Sequence, residues 1–228
     1  MEIMSLPISN IKYWLSFLYD QPLAQSSSIY NPTLDVCLSR GRLRLNTQNA
    51  TYSYEDLYDA FYKPFKHLNI EQLKLKKVLV LGGGLASIPI MLQKKFGQND
   101  TIYTLVELDA AVIKLAHEFL EKKYLNNLIF HCDDAFDYVE NCKEKFDLIA
   151  VDIFLDISTP NKFRSVAFLR NLKKLLNPNA HLIYNTINLD DVSASLSREF
   201  YNNAFSNVFP QNKCLRTRGN NMLLYQVK

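Results

Sequence analysis

The chain has 228 residues, 48% hydrophobic and 21% charged, with a formal net charge of +3 at pH 7, which fits a globular protein with one sizeable core. Its 26 basic and 23 acidic residues nearly balance and form no basic stripe, so nucleic acid is excluded as an expected partner. No apolar run reaches the roughly 18 residues of a membrane span, and no secretory leader is found, so we expect a cytoplasmic protein without a membrane partner.

Residues 1–60 are predicted to form a small N-terminal appendage that contains a β-hairpin and a helix. Two runs, 34–38 and 42–45, alternate apolar with polar residues and are separated by a short turn, which is typical of a hairpin. A helix is expected to start near Ser53, with Glu55-Asp56 in its first turn. Carboxylates there suit the positive end of the helix dipole.

From Lys77 onward, short apolar runs alternate with helical segments. Strands are predicted in the runs 77–81, 102–108, 128–132, 146–153 and 181–186. Helices are predicted between them, over roughly 86–96, 110–122, 134–142 and 163–176. Continuous apolar strands joined by crossover helices indicate an α/β protein with a parallel sheet covered on both faces. Two further runs flank Gly219-Asn220 and predict an antiparallel C-terminal hairpin, so we expect residues 61–228 to form the main domain.

Three consecutive glycines, Gly82, Gly83 and Gly84, follow the first of these strands and precede a helix. Glycine lets the backbone approach a ligand, and a helix start offers free N–H groups to a nucleotide, although the same turn also serves as a plain connection. Glu107 ends the next strand, where a carboxylate can accept both hydroxyls of a ribose. Its alternative role as a helix cap is better filled by Asp109. We therefore predict that the glycines and Glu107 bind a nucleoside.

Acidic residues also follow the next two strands. Asp133 and Asp134 precede Ala135, and this segment is predicted to bind the cofactor, with Asp134 favoured as acceptor for the adenine amine; both acids can instead cap the following helix. Asp152 ends the fourth strand, at the edge where open α/β sheets bind their ligands. With Asp156 it can hold a cationic amine, unless both residues only cap the loop.

The cysteines and histidines point to no metal chemistry. The four cysteines are widely spaced and form no C-x-x-C pair, and the four histidines are equally scattered. Because neither set has the spacing of metal ligands, we expect no metal and free thiols in a reducing compartment.

Five segments, VLVLGGG, VELD, DDAFDYV, FDLIAVDIF and LLNPNAHLIYNT, resemble in this order the spermidine synthase branch of the class I S-adenosylmethionine (AdoMet)-dependent methyltransferase superfamily. The resemblance covers residues 30–228 and implies a Rossmann-like, seven-stranded, mostly parallel sheet that binds AdoMet or decarboxylated AdoMet. It implies that the glycines flank the sulfonium nucleoside, that Glu107 binds the ribose and that Asp134 binds the adenine amine. It further implies that Asp152 is the catalytic aspartate, which accepts a proton from the attacking amine, and that Tyr54 lines the substrate pocket. Members of this branch dimerise, so the resemblance implies a homodimer, with the β-rich start as a candidate contact.

The sequence departs from the family pattern at two acidic positions. Leu85 stands where spermidine synthases have the Asp of Gly-Gly-Gly-Asp-Gly, which holds the aminopropyl end of the donor, and Val80 stands where ordinary methyltransferases have an acid. An ammonium without such a partner loses a charge-assisted hydrogen bond worth ~1.5–3 kcal/mol, or roughly tenfold to a hundredfold in affinity. Either Asp156 or Asp133 replaces the missing acid, or the transferred group is not aminopropyl.

Three functions are compatible with these residues. The leading hypothesis is an AdoMet-type transferase of the spermidine synthase-like family, which moves a methyl or aminopropyl group to an unidentified small-molecule acceptor such as an amine. A true spermidine synthase is the alternative, and a catalytically inactive binding module of the same fold is a further one. An NAD-dependent oxidoreductase would also use the glycines and Glu107, but the terminal hairpin and the loop after Asp152 fit it poorly.

Overall fold

A computed structural model describes residues 8–48, 50–154 and 159–228 of the chain, except for the side chain of Lys123. These residues form a four-stranded sheet near the N-terminus and a seven-stranded sheet after it. Helices pack on both faces of the larger sheet, so the α/β class is confirmed.

The small sheet is antiparallel, and its strands are neighbours in chain order. They are β1 (Gln21–Ser26), β2 (Leu34–Ser39), β3 (Arg42–Asn46) and β4 (Thr51–Ser53). The predicted hairpin is confirmed as β2 and β3, joined at Arg40 and Gly41, whose φ angles are 50° and 70°. Two successive positive φ angles give a turn the twist that antiparallel strands need. A short helix, α1 (Asn10–Leu15), precedes this sheet.

The prediction of a helix starting near Ser53 is wrong. In the described part of the chain, β4 ends at Ser53 and a single 3-10 turn follows over Glu55–Leu57. Glu55 has a φ of 36°, outside the helical region. The carboxylates of Glu55 and Asp56 are buried and lie 2.7 and 3.3 Å from the ammonium of Lys94. Ion pairing between elements, and not the dipole of a local helix, therefore determines this segment.

The large sheet carries the predicted strands and the terminal hairpin. Its strands are β5 (Lys77–Leu81), β6 (Ile102–Glu107), β7 (Leu128–Cys132), β8 (Phe146–Val151), β9 (Leu176–Ile187), β10 (Lys213–Thr217) and β11 (Asn220–Gln226). Their spatial order is β10-β11-β9-β8-β5-β6-β7. Strands β5 to β9 run parallel, whereas β11 is antiparallel to both β9 and β10. The seven-stranded, mostly parallel sheet with its antiparallel hairpin is thus confirmed.

Helices connect these strands at nearly all the predicted places. They are α2 (Tyr62–His67), α3 (Ser87–Phe96), α4 (Ala110–Phe119), α5 (Lys122–Leu125), α6 (Ala135–Asn141), α7 (Val166–Lys174), α8 (Asp191–Phe200) and α9 (Ser206–Val208). The predicted helix over 110–122 is divided, because Leu120 adopts an extended conformation between α4 and α5. A 3-10 turn over Asn161–Arg164 precedes α7, and a π-helical turn over Tyr201–Phe205 follows α8.

Side chains of the large sheet alternate between two hydrophobic clusters, one on each face. On β5, Val78 and Val80 pack with α3, α4 and the small sheet, whereas Leu79 and Leu81 pack with α6, α7 and α8. Strands β2 and β3 contribute buried residues to the first cluster, so the two sheets share one core. The division into an appendage over 1–60 and a main domain over 61–228 stays a prediction.

Candidate active site

Two cavities lie where β5, β6 and β8 end. The larger has a volume of about 380 Å³ and the smaller of about 160 Å³. Tyr52, Gly82, Asp152 and Phe154 line both of them, so the cavities adjoin at the ends of β5 and β8. The strand order reverses at β5: β6 and β7 lie on one side of it, and β8 and β9 lie on the other side. Ligands of open α/β sheets bind at such a reversal.

The glycine turn adjoins the end of β8. Gly82 has a φ of 90°, and a Cβ atom there would lie 2.1 Å from the carbonyl oxygen of Asp152. Only glycine therefore fits at this position. Gly84 has a φ of 49°, and its N–H donates to Oε2 of Glu107 at 3.0 Å. A Cβ atom on Gly83 would lie 3.2 Å from Cβ of Leu105 on β6. The turn is thus held against both neighbouring strands.

Glu107 is buried at the end of β6 and lines the smaller cavity. Its Oε1 accepts from the N–H of Asp109 at 3.0 Å, and its Oε2 accepts from the N–H of Gly84. Burial raises the pKa of this carboxyl, and the two backbone donors oppose that rise. The predicted cap is confirmed: Asp109 accepts from the N–H of Ala111 at the start of α4. Because Asp109 caps α4, Glu107 is not needed as a helix cap and its carboxylate lines the smaller cavity.

The segment Asp133, Asp134 and Ala135 also lines the smaller cavity. Asp134 caps α6, because its Oδ1 accepts from the N–H of Phe136 at 2.8 Å. Its Oδ2 forms an ion pair with Lys162, a cavity residue that the sequence did not single out. Oδ1 of Asp133 accepts from the N–H of Asp134 at 2.8 Å. Asp134 therefore both caps α6 and lines the smaller cavity.

Asp152 lies between the two cavities. Its Oδ1 accepts from Nδ2 of Asn185 on β9 at 2.8 Å, and the hydroxyl of Tyr58 donates to the same carboxylate. Burial raises the pKa of Asp152 to about 6, and both hydrogen bonds oppose this rise. Asp156, which was predicted to assist it, lies outside the described residues.

Three tyrosines of the 52–58 segment differ in position. Tyr52 and Tyr58 line the larger cavity, whereas Tyr54 lies in a separate depression, where its hydroxyl donates to Oγ of Ser39 at 3.1 Å. The hydroxyl of Tyr52 donates to the carbonyl oxygen of Phe154 at 3.2 Å. Tyr54, which was predicted to bind the substrate, therefore lies outside the cavity that Asp152 lines, whereas Tyr52 and Tyr58 line it.

The position of the missing family acid is part of the core. Leu85 is fully buried in the first hydrophobic cluster, and its N–H donates to Oγ of Ser53 at 3.1 Å. Among the described residues, the charged side chains that line the larger cavity are those of Asp59, Asp152 and Arg218. Asp59 and Arg218 were not predicted, since neither belongs to a sequence motif.

Within 8–48, 50–154 and 159–228, no group of three or more His, Cys, Asp or Glu side chains could hold a metal ion. No helix in these ranges has the length and apolar character needed to cross a membrane.

Comparison with known proteins shows the family to which this chain is similar. A family model, the spermine/spermidine synthase domain, matches residues 62–228. The polyamine aminopropyltransferase of Vibrio vulnificus is 28% identical over 167 residues, which cover 67% of this chain and 55% of that protein. The eEF1A lysine and N-terminal methyltransferase homolog of Drosophila melanogaster is 28% identical over 144 residues, which cover 59% of this chain and 20% of that protein. The chain thus spans about half, or less, of the length of these relatives.

A solved structure agrees on the fold. Spermidine synthase from Thermotoga maritima superimposes with a TM-score of 0.67 at 17% identity, over 91% of this chain and 73% of that one. At this identity the likeness concerns the fold alone. The expected Rossmann-like architecture is confirmed by it.

Proposed function

Because the chain belongs to the spermine/spermidine synthase family, we propose that it transfers an alkyl group from a sulfonium nucleoside to an amine. The donor is AdoMet or its decarboxylated form, and the acceptor is a small molecule. One observation carries this proposal: Asp152, a carboxylate with two hydrogen-bond donors, separates the two cavities. A donor nucleoside in one cavity and an acceptor in the other would meet beside it.

The smaller cavity has the chemistry that a nucleoside needs. The buried carboxylate of Glu107 suits ribose hydroxyls, and Asp134 suits the exocyclic amine of adenine. Gly82 lines this cavity, and the carbonyl oxygen of Asp152 occupies the place of its missing Cβ, so the turn packs closely against the end of β8. These residues therefore fit the nucleoside of the donor, and Asp133 and Ala135 complete that wall.

Asp152 would act as a general base. The bound donor supplies a carbon that its sulfonium makes electrophilic; the acceptor nitrogen forms the new C–N bond as the C–S bond breaks, and a neutral thioether leaves. The proton lost by the nitrogen moves to the carboxylate of Asp152. Asn185 and Tyr58 keep that carboxylate oriented between the cavities. Holding both reactants in place supplies much of the rate enhancement.

The transferred group is aminopropyl or methyl. The family and the Vibrio vulnificus relative support aminopropyl transfer. The buried Leu85, which leaves no carboxylate where the family holds the aminopropyl end, supports methyl transfer.

The proposal is tested by replacing Asp152. The protein is incubated with AdoMet or decarboxylated AdoMet and a panel of diamines, amino acids and lysine peptides, and the thioether product is measured by mass spectrometry. We expect Asp152→Asn to lower the rate by about 10²–10⁴-fold, the usual contribution of a general base. Binding of methylthioadenosine, measured by calorimetry, should stay within about twofold, because this ligand needs only the nucleoside site.

Asp137→Asn, an exposed change on α6, is the matched control and should leave both values unchanged. An active Asp152→Asn variant would reject Asp152 as the base. Failure of the unchanged protein to bind methylthioadenosine would reject the nucleoside site, and binding without turnover would favour the inactive module.

A further inference from the structure

The larger cavity contains charges of both signs. Asp59 and Arg218 line it together with Asp152. Neither Asp59 nor Arg218 forms an ion pair with any residue in the described ranges. Both residues are exposed to solvent, and opposite charges that line one cavity without pairing complement a ligand that carries both charges.

Arg218 is held on a well-anchored turn. It lies between β10 and β11, where Thr217 pairs with Asn220 across the hairpin. Gly219 has a φ of 77°, and its carbonyl oxygen accepts from the N–H of Asn188 at 2.8 Å. The turn that carries the guanidinium is therefore bound to the segment after β9, beside the cavity.

Two other acids of the 52–58 segment, which belongs to the described part of the chain, are already engaged. Glu55 and Asp56 pair with Lys94, and the residue at the family's acidic position, Leu85, is buried in the core. A diamine could pair its ammonium groups with Asp59 and Asp152, but it would leave the guanidinium of Arg218 without a partner. A carboxylate, in contrast, matches the donors of an arginine in a bidentate pair.

We infer that the larger cavity binds a ligand with an α-amino carboxylate end, whose carboxylate pairs with Arg218 and whose ammonium pairs with Asp59. The inference rests on the proposed function, because it names the ligand chemistry of that same site. Two ligands carry this group: the methionyl tail of AdoMet, and an amino acid that serves as acceptor. Decarboxylated AdoMet and a diamine both lack the carboxylate.

Matched ligand pairs test the inference by calorimetry. AdoMet and decarboxylated AdoMet differ only in the donor's carboxylate, and ornithine and putrescine differ in the same way as acceptors. Ornithine and putrescine are titrated into protein saturated with methylthioadenosine. We expect Arg218→Gln to weaken the carboxylate-bearing member of one pair by about tenfold to a hundredfold and to leave its decarboxylated partner unchanged. The affected pair identifies the donor or the acceptor as the source.

Two further variants make the result specific. Arg216→Gln changes another arginine of the same hairpin, which does not line the cavity, and should change no affinity. Asp59→Asn should weaken both members of the affected pair, since both carry the ammonium. The inference would be overturned if Arg218→Gln and Arg216→Gln changed the affinities equally. It would also be overturned if the unchanged protein bound both decarboxylated ligands more tightly than their carboxylate-bearing partners. Because methylthioadenosine has no amino acid end, its binding reports separately on the proposed function.

Discussion

The environment of the Asp152 carboxylate suits the proton transfer that we propose for it. Its removal from water raises its pKa to about 6, whereas the hydrogen bonds from Asn185 and Tyr58 stabilise the charged form. The carboxylate is therefore ionised at neutral pH, and its pKa lies close enough to that pH for the proposed role as a base. General bases work best when their pKa lies near the working pH.

This pKa sets the acid side of the pH–rate profile. Only the ionised carboxylate can accept a proton, so the rate should fall as the pH decreases through about 6. Tyr58→Phe removes a donor that stabilises the ionised form and should raise the pKa of Asp152, which moves the acid limb to higher pH by about one unit. Tyr54→Phe is the matched control, because that hydroxyl bonds to Ser39. Single-turnover rates between pH 5 and 8 would measure the shift, and equal profiles would contradict this role for Tyr58.

The sequence predicted the motif residues of the site better than their partners. Gly82, Glu107 and Asp134 follow predicted strands, so their common location at one sheet edge could be inferred. Asn185 lies beside Asp152 because β8 and β9 are neighbouring strands. Their register pairs Val151 with Tyr184, and Asp152 and Asn185 are the residues that follow these two. Tyr58 and Arg218 carry no such signal, since their positions depend on loop and hairpin packing.

At the scale of elements, the connection between β5 and α3 is fixed by steric contact with β8. Gly82→Ala would add both the strain of a φ of 90° and a Cβ atom 2.1 Å from the carbonyl oxygen of Asp152. We expect it to lower the free energy of unfolding by more than about 3 kcal/mol and to abolish activity, because the end of β8 must move. Urea unfolding and formation of the thioether product would measure the two effects.

Gly97→Ala is the matched control for Gly82→Ala. Gly97 also has a positive φ, of 69°, but nothing lies within 4 Å of its added Cβ. Its replacement should therefore cost only the backbone strain, about 1 kcal/mol. Similar losses for the two variants would show that strain, and not contact with β8, requires a glycine at position 82.

Strand patterns predicted the large sheet well and the chain start less well. Buried parallel strands are continuous apolar runs, which are easy to recognise. β1 was not predicted, because its sequence, QPLAQS, is mostly polar and it pairs with β2 on one side only. The extension of β9 back to Leu176 also went unrecognised, since Pro178 interrupts the apolar run.

At the scale of the whole molecule, the small sheet is part of the site's support. Oγ of Ser53, at the end of β4, accepts from the N–H of Leu85 in the glycine turn, at 3.1 Å, and lies 2.6 Å from Oγ of Ser87 in α3. Near β1, Nδ2 of Asn31 donates to Asp109, which follows β6, at 2.8 Å. The N-terminal residues thus position both segments that we propose to bind the nucleoside.

The attachment between the small sheet and α3 rests on a charged cluster, which gives a test of stability. Lys94 pairs with the buried carboxylates of Glu55 and Asp56, and Lys94→Met would remove the near partner of Glu55, at 2.7 Å. Arg42 and Lys95 would still pair with Asp56. We expect this change to cost about 1–2 kcal/mol in urea unfolding, below the loss of a fully buried pair, because these cations remain and Lys94 is partly exposed. Lys77→Met breaks the exposed pair with Glu144 and should cost less than about 1 kcal/mol. If the two variants lost equal stability, the cluster would not hold the sheets together, and their shared hydrophobic core would have to account for the attachment.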